Sequence, residues 1–421
     1  MKSLFRSIVI SILRVLTRGI LRKYQPKIVM VTGSVGKSST KDAIAAALAS
    51  SIYLRASKKS YNSEFGLPLT VIGRETAWGS PLGWIKIVVE GIMLLLFPAH
   101  YPKLLVLEVG ADRPRDLEKL LRIATPDAVV VTKLPEVPVH VEAYEGPAEV
   151  RQEEFAPAYA LNHGAPLILA AEDTYAHALA KGVHATVSTY GYEEADVRIT
   201  KPTFTGTGME ATFLIEGKEH AVSAPGVIGT QQLYAPAAAI AVARALAIPL
   251  KEALSGLRDY TPPPGRARVL PGTDHSILID DTYNSSPAAV EEALKSLALV
   301  DGKRRIAILG DMLELGRYSS SEHERIGALA ASSVDVLITV GHRAEAIATA
   351  FLNAGRAEGS VESFENSVLA AAALPSSVRE GDVVLLKGSQ SMRMERITEA
   401  LLANPEDVAL LPRQDAEWRR R

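Results

Sequence analysis

The sequence predicts an α/β protein in which a phosphate-binding domain is followed by a second, Rossmann-like α/β domain. Three observations predict it. Lys27 to Asp42, KIVMVTGSVGKSSTKD, leads an apolar β-branched run into a glycine turn and then an alanine-rich helical stretch to Ala49. TPPPGRARV at 261–269 reads as a proline-stiffened linker. From 276 to 403 strand-like and helical patterns alternate, as in a parallel sheet with helices on both faces. The expected organisation is a basic apolar helix at 1–24, a central nucleotide-binding domain at 25–260 and a last domain at 261–421.

Residues 1–24 carry Lys2, Arg6, Arg14, Arg18, Arg22 and Lys23, with no acidic residue before Asp42. Arg14, Arg18 and Arg22 recur every four positions and share a helical face, while Leu4, Phe5, Ile8, Leu13, Leu16 and Ile20 fill others. The arginines interrupt the run too often for a spanning helix, and no small-residue cleavage site follows. Two readings stand: an interfacial helix on a membrane, or a helix packed on the protein's own surface.

In the loop, Gly33, Ser34, Val35, Gly36, Lys37, Ser38 and Ser39 form a phosphate cradle. Glycines turn N–H groups toward an anion, the helix N-terminus adds its positive end, Lys37 reaches the terminal phosphates, and the Ser38 hydroxyl suits magnesium. A general Walker loop would have glycine where Val31 stands, so this is a shorter form. The plainer alternative is an ordinary glycine–lysine turn before a helix.

Beyond it, IYLRAS (52–57) is strand-like, and SYNSEFGLPLTVIG (60–73) predicts a structured loop around Asn62, Gly66 and Pro68. WIKIVVEGIMLLLF (84–97) is too short to cross a bilayer and reads as a buried helix or as a second membrane-facing surface. KLLVLEVGADRPRDLEKLLRIATPDAVVVTKL (103–134) predicts two buried strands flanking a helix. Glu108 ends the first strand, where open α/β sheets gather ligands and a carboxylate suits magnesium. Residues 166–223 alternate short β-rich runs with turns, and 225–248 is a glycine turn leading into an alanine-rich helix.

Composition narrows the function. A net charge of −2 on 421 residues offers no broad attraction to nucleic acid, and the absence of cysteine excludes disulfides, thiolate zinc sites and cysteine nucleophiles.

These strings resemble the Mur ligases, ATP-dependent enzymes that add amino acids to the peptidoglycan stem peptide, and within them the D-alanyl-D-alanine-adding members. The short Thr-Gly-x-x-Gly-Lys-Ser loop, Asn62-x-x-x-Gly66-x-Pro68 and Glu108-Val-Gly-Ala carry the likeness in the first domain. In the second it rests on Gly265-Arg266, Asp280-Asp281-Thr282-Tyr283-Asn284 with Pro287, Gly310-Asp311-Met312, Glu314-Leu315-Gly316, His323 and Lys387-Gly388-Ser389. It spans residues 28 to about 403 in family order. The resemblance leads to the expectation that the family's N-terminal domain, which holds the uridine-diphosphate end of the substrate, is missing and that the basic helix stands in its place.

The resemblance implies amide bond formation through an acyl phosphate, with ATP and Mg2+. It implies catalytic roles for Lys37, Glu108, His140 and Arg266, metal contacts from Ser38, Glu108 and His140, and nucleotide contacts from Arg266, Asp281 and Asn284; Gln232 is a further candidate for the nucleotide, at a position where the chain departs from the family. The chain departs from the family twice. No lysine lies between Lys133 and Lys181 to become the carbamate the family uses, and Glu154, fourteen residues after His140 with Glu153 beside it, stands at that place. A glutamate there supplies the charge directly; otherwise the acidic pair is a solvated helix face. Where the family has Gly-x-His-Asn-x-x-Asn near the adenine, this chain has Gly229, Gln231, Gln232 and Ala235. Adenine recognition is then lost or rests on the two glutamines.

The expected partners are a carboxylate-bearing peptide and an amine, with no nucleic acid and with peripheral membrane contact through residues 1–24. The expected state is a monomer in the cytoplasm, at the inner face of the membrane. Two alternatives remain open: a nucleotide-binding scaffold descended from such ligases, and a ligase making a different amino acid conjugate or polymer.

Overall fold

Residues 2–58, 61–415 and 418 are described in the computed structural model, with side chains from Ile8 onward. The expectations placed on the side chains of Lys2, Leu4, Phe5 and Arg6, and on Ser60, lie outside the described residues.

The first sheet has nine strands: β1 (Lys27–Thr32), β2 (Leu54–Ala56), β3 (Leu104–Glu108), β4 (Ala128–Val131), β5 (Pro166–Ala170), β6 (Thr186–Gly191), β7 (Val197–Phe204), β8 (Gly208–Ile215) and β9 (Lys218–Pro225). Their spatial order is β2-β3-β1-β4-β5-β6-β7-β8-β9, parallel from β2 through β7 and antiparallel from β7 to β9. Alternation along β1 sends Val29 and Val31 to one face and Ile28 and Met30 to the other, and both faces are covered. On the first face lie α2 (Lys37–Leu48) and the alanine-rich helix Tyr234–Ala245. On the second lie α1 (Lys2–Tyr24), α3 (Gly66–Ile72), α4 (Pro81–Leu96), α5 (Asp116–Leu121) and α6 (Pro147–Tyr159).

The second sheet is β10 (Arg268–Pro271), β11 (Ile277–Asp281), β12 (Arg304–Gly310), β13 (Val336–Val340), β14 (Val361–Phe364) and β15 (Asp382–Lys387), ordered β10-β11-β15-β12-β13-β14. It is parallel apart from the antiparallel edge strand β10, which the linker delivers.

Two local expectations change. The loop expected over 60–73 ends at Phe65, and Gly66 to Ile72 form α3, because proline is tolerated in a first helical turn. The 84–97 stretch is a helix with a Ser80 cap, but only Trp84, Ile87 and Gly91 of α4 are buried, so it is not a buried helix. On α1, Leu13 and Ile20 are fully buried, each contributing about 1.5–3 kcal/mol by removal from water. That helix packs on the protein along one face and leaves Ile8, Ile12 and Val15 exposed.

Candidate active site

Strand register builds the site. Val31 pairs with Glu108, and Thr32 pairs with Val131, so the ends of β3, β1 and β4 stand side by side. The loop leaves β1 at this point, with Gly33 and Gly36 at positive φ. At Gly33 a side chain would also meet Thr132 Oγ1 and the backbone of Thr132 and Lys133. Ser34 N–H donates to the Lys133 carbonyl across 2.9 Å, which fixes the loop to β4. Gly36 then opens α2 with no side-chain cap, leaving its first-turn N–H groups facing outward.

Around the loop the expected residues converge. Lys37 Nζ donates back to the Gly33 carbonyl. Glu108 is buried and bonded by the Ser38 hydroxyl. Burial raises its pKa, against the charges of Lys41 and Lys37, the Ser38 bond and the charge of Arg266. One oxygen of that carboxylate, Oε2, has no partner among the described residues.

On the other side of the loop, Glu154 Oε2 accepts from Ser34 Oγ at 2.5 Å, and its main-chain oxygen accepts from Thr32 Oγ1 at 2.6 Å. These bonds carry α6 to the end of β1. Glu154 is buried, which raises its pKa; Lys37, the Ser34 bond and His140 pull the other way. Glu153 points elsewhere, accepting from Leu117 N–H at 2.9 Å in the first turn of α5. The acidic pair is therefore divided between the loop and a helix terminus, not set on a solvated face.

His140 sits at φ 64, a left-handed conformation that costs a non-glycine residue energy and often marks a functional position. Its Nδ1 is 3.0 Å from Glu314 Oε2 and its Nε2 is 3.6 Å from Asp112 Oδ1. Burial disfavours the charged ring, but the Glu314 bond and charge, with Asp112, outweigh it and raise the pKa. His140 thus faces carboxylates, one of them from the second sheet's side of the molecule. Among the described residues no three His, Asp or Glu side chains form a metal cage. Magnesium does not require one, since it is commonly held by one or two protein oxygens plus phosphates and water. Ser38 beside Glu108, with an orphaned buried carboxylate oxygen, fits that pattern.

A cleft of about 560 Å³ opens beside the loop, lined by Val35, Gly36, Ser39 and Thr40 on one wall and by Arg266, Asp281 and Lys387 on another. Arg266 lies over the Tyr283 ring at 4.3 Å. Lys387 is buried, with Nζ 2.6 Å from Asp281 Oδ2 and 3.0 Å from the Asn284 carbonyl; burial lowers its pKa despite Asp281. Gln231 and Gln232 both line the cleft, Gln231 bonding Ser296 Oγ at 3.0 Å. Asn284 does not line it; its side-chain oxygen accepts from Gln390 N–H at 3.3 Å, a loop-fixing role.

Sequence reasoning missed a wall of the same cleft made by Tyr190, Tyr192 and Tyr234, whose rings meet edge to face, Tyr192 against Tyr234 at 5.4 Å. The signal available was the Tyr-Gly-Tyr end of β6. It also missed Glu314 as the partner of His140.

Two family models match the chain: the Mur ligase middle domain over residues 91–243 and the Mur ligase glutamate ligase domain over residues 265–390. The chain is 26% identical over 412 residues to the UDP-N-acetylmuramoyl-tripeptide–D-alanyl-D-alanine ligase of Bacillus subtilis, covering 93% of this chain and 79% of that one. The Synechocystis enzyme of the same name is 28% identical over 390 residues, covering 92% and 77%. Among solved structures it is similar to a MurF ligase from Thermotoga maritima in complex with ADP, with a TM-score of 0.76 at 25% identity, covering 93% of this chain and 83% of that one. With both domain models matched in order, with the loop and Arg266 lining one cleft, and with Glu108 buried behind it within reach of the Lys37 and Arg266 charges, the chain belongs to the Mur ligase family.

Proposed function

We propose that this chain is an ATP-dependent ligase of peptidoglycan precursor synthesis that joins D-alanyl-D-alanine to the carboxylate of a muramyl tripeptide. The observation that carries this reading is the convergence of Lys37, Glu108, His140, Glu154 and Arg266 around one glycine loop, whose Val35 and Gly36 line a cleft built from both sheets. The work is divided between a domain at 25–260, which holds the nucleotide, and one at 261–421, which closes over it.

The peptide carboxylate attacks the γ-phosphorus of ATP, forming an acyl phosphate and releasing ADP. The amine then attacks the acyl carbon, and inorganic phosphate leaves as the amide forms. Lys37 and Arg266 place positive charge where the phosphoryl oxygens gather negative charge. Ser38 and Glu108 would hold magnesium, with His140 and Glu154 serving a second position. When bound, the metal neutralises phosphate charge. Glu154 supplies a fixed negative group without carbon dioxide, and Ser34 keeps it oriented. Tyr192 and Tyr234 offer ring faces and edges to the base, beside Gln232. We assign the chain to the cytoplasm, where ATP is available, as a monomer in peripheral contact with the inner membrane face through its basic first helix.

The test is direct. Incubation with ATP, UDP-N-acetylmuramoyl-tripeptide and D-alanyl-D-alanine should yield, by mass spectrometry, the tripeptide enlarged by the dipeptide less one water. ADP binding without any product from this pair or from a panel of amines would instead favour a nucleotide-binding scaffold.

A further inference from the structure

The surface built by α1 and α4 is not explained by ligation. On α4, Leu82, Ile85, Val89, Ile92, Met93 and Leu96 are all exposed, Leu82 by 78%. Steps of three and four put them on one face of the helix. Its opposite face carries the buried Trp84, Ile87 and Gly91. Packing aligns the two helices: a side chain at Gly91 would meet Leu16, and one at Gly19 would meet Leu95. They therefore run parallel, and the exposed Ile8, Ile12 and Val15 stand level with the first part of α4. An exposed apolar helix face of this size marks an interaction site.

The charges say what kind. Arg18 and Arg22 are exposed on α1 and, with Arg122, line a shallow groove. Arg18 Nε is fixed by the Arg122 carbonyl at 2.9 Å, while the groove's carboxylate, Asp127, is engaged by Ile28 N–H at 2.7 Å. None of the first 41 residues is acidic. No helix among the described residues is long and apolar enough to cross a membrane. Moreover α1 is held laterally, Lys23 Nζ donating to the carbonyls of Leu94, Leu95 and Phe97 at 2.8, 3.0 and 2.6 Å. Apolar faces flanked by cations, on helices that cannot span, suit the headgroup region of an anionic leaflet.

We infer that the α1–α4 face docks on an anionic bilayer, with α4 supplying the inserted apolar surface and Arg18 and Arg22 receiving lipid phosphate, the neighbouring Arg122 being paired with Glu118. This rests on the peripheral contact proposed above and moves its centre from α1 to α4. The face is also linked to the site. Phe65 packs its ring 5.8 Å from Trp84, Glu64 pairs with Arg14, and the Asn62 carbonyl accepts from Gly110 N–H beside Lys37. A docked chain thus holds its phosphate loop one short segment from the membrane surface.

Sedimentation of the full chain with phosphatidylcholine vesicles, with and without phosphatidylglycerol, at low and high salt, tests it. The wild type should sediment with the anionic vesicles at low salt. Ile85→Glu with Ile92→Glu should lower partitioning about tenfold or more, with an unchanged circular dichroism spectrum because both positions are exposed. Arg18→Glu with Arg22→Glu should abolish the dependence on salt and phosphatidylglycerol. Absence of sedimentation with either vesicle overturns the proposal, as does sedimentation that neither pair alters. A dimer in light scattering that the Ile85/Ile92 pair dissociates, without vesicle binding, assigns the face to a second copy and also overturns it. Ligation of soluble substrates without vesicles is measured separately, so failure here and failure of the ligase reading are distinguishable.

Discussion

Ser34 Oγ donates to Glu154 Oε2 across 2.5 Å, so the phosphate loop and α6 share a buried carboxylate where the family resemblance implies a carbamate. Glu154→Gln keeps the shape and removes the charge. It should lower the ligation rate about 10–100-fold, the range for residues that support a metal site, and raise the magnesium requirement. Glu153→Ala should leave the rate unchanged and lower stability by about 1 kcal/mol, as for a lost helix-terminal acceptor. Steady-state kinetics and thermal melts separate the two. Activity should not depend on bicarbonate.

Asp281 and Lys387 form a buried ion pair at 2.6 Å on the cleft wall. Removing one partner strands the other charge, so Asp281→Ala should destabilise the protein by about 3–5 kcal/mol in urea unfolding. The double change Asp281→Asn with Lys387→Met should recover part of that loss and none of the activity.

Asp280 is fully buried, and burial pushes its carboxyl up to about 6, against the Thr282 and Thr398 hydroxyls that bond it; the Asp281 charge adds to the rise. A folded-state pKa above the unfolded value means the folded chain binds more protons. The associated stability is complete below the unfolded value of about 3.9 and is lost as pH rises through about 6, a change of about 3 kcal/mol. Asp280→Asn should flatten this part of the profile. Melting temperatures between mildly acidic and neutral pH check it.

The tyrosine wall predicts a nucleotide effect. Tyr192→Ala or Tyr234→Ala should weaken binding of a non-hydrolysable ATP analogue by about 1–3 kcal/mol, the usual cost of removing a base-stacking aromatic. Calorimetric titration measures it, and an unchanged affinity would place the base elsewhere.

What the sequence disclosed follows from how locally each feature is encoded. The phosphate loop and Glu108 were legible because strand, turn and helix follow within one short segment and a strand end fixes where its last side chain lies. Glu154 was reachable by counting from His140, but only the Thr32 and Ser34 bonds separate its role from that of Glu153. Glu314 against His140 and the tyrosine wall were not legible, since each joins segments distant in sequence. The environment of α4 was open for another reason: its apolar residues surround most of the helix, so no period marks the face that turns inward.

ATP cleavage at the loop should be coupled to amide formation, and ADP release measured with both substrates, with each omitted, and in Lys37→Ala checks that coupling. ADP should equal the amide formed, release should be negligible when tripeptide or D-alanyl-D-alanine is missing, and Lys37→Ala should lose on the order of 10²–10³-fold through removal of a preorganised charge. ADP release that ignores both substrates, or that persists at the wild-type rate in Lys37→Ala, would contradict it.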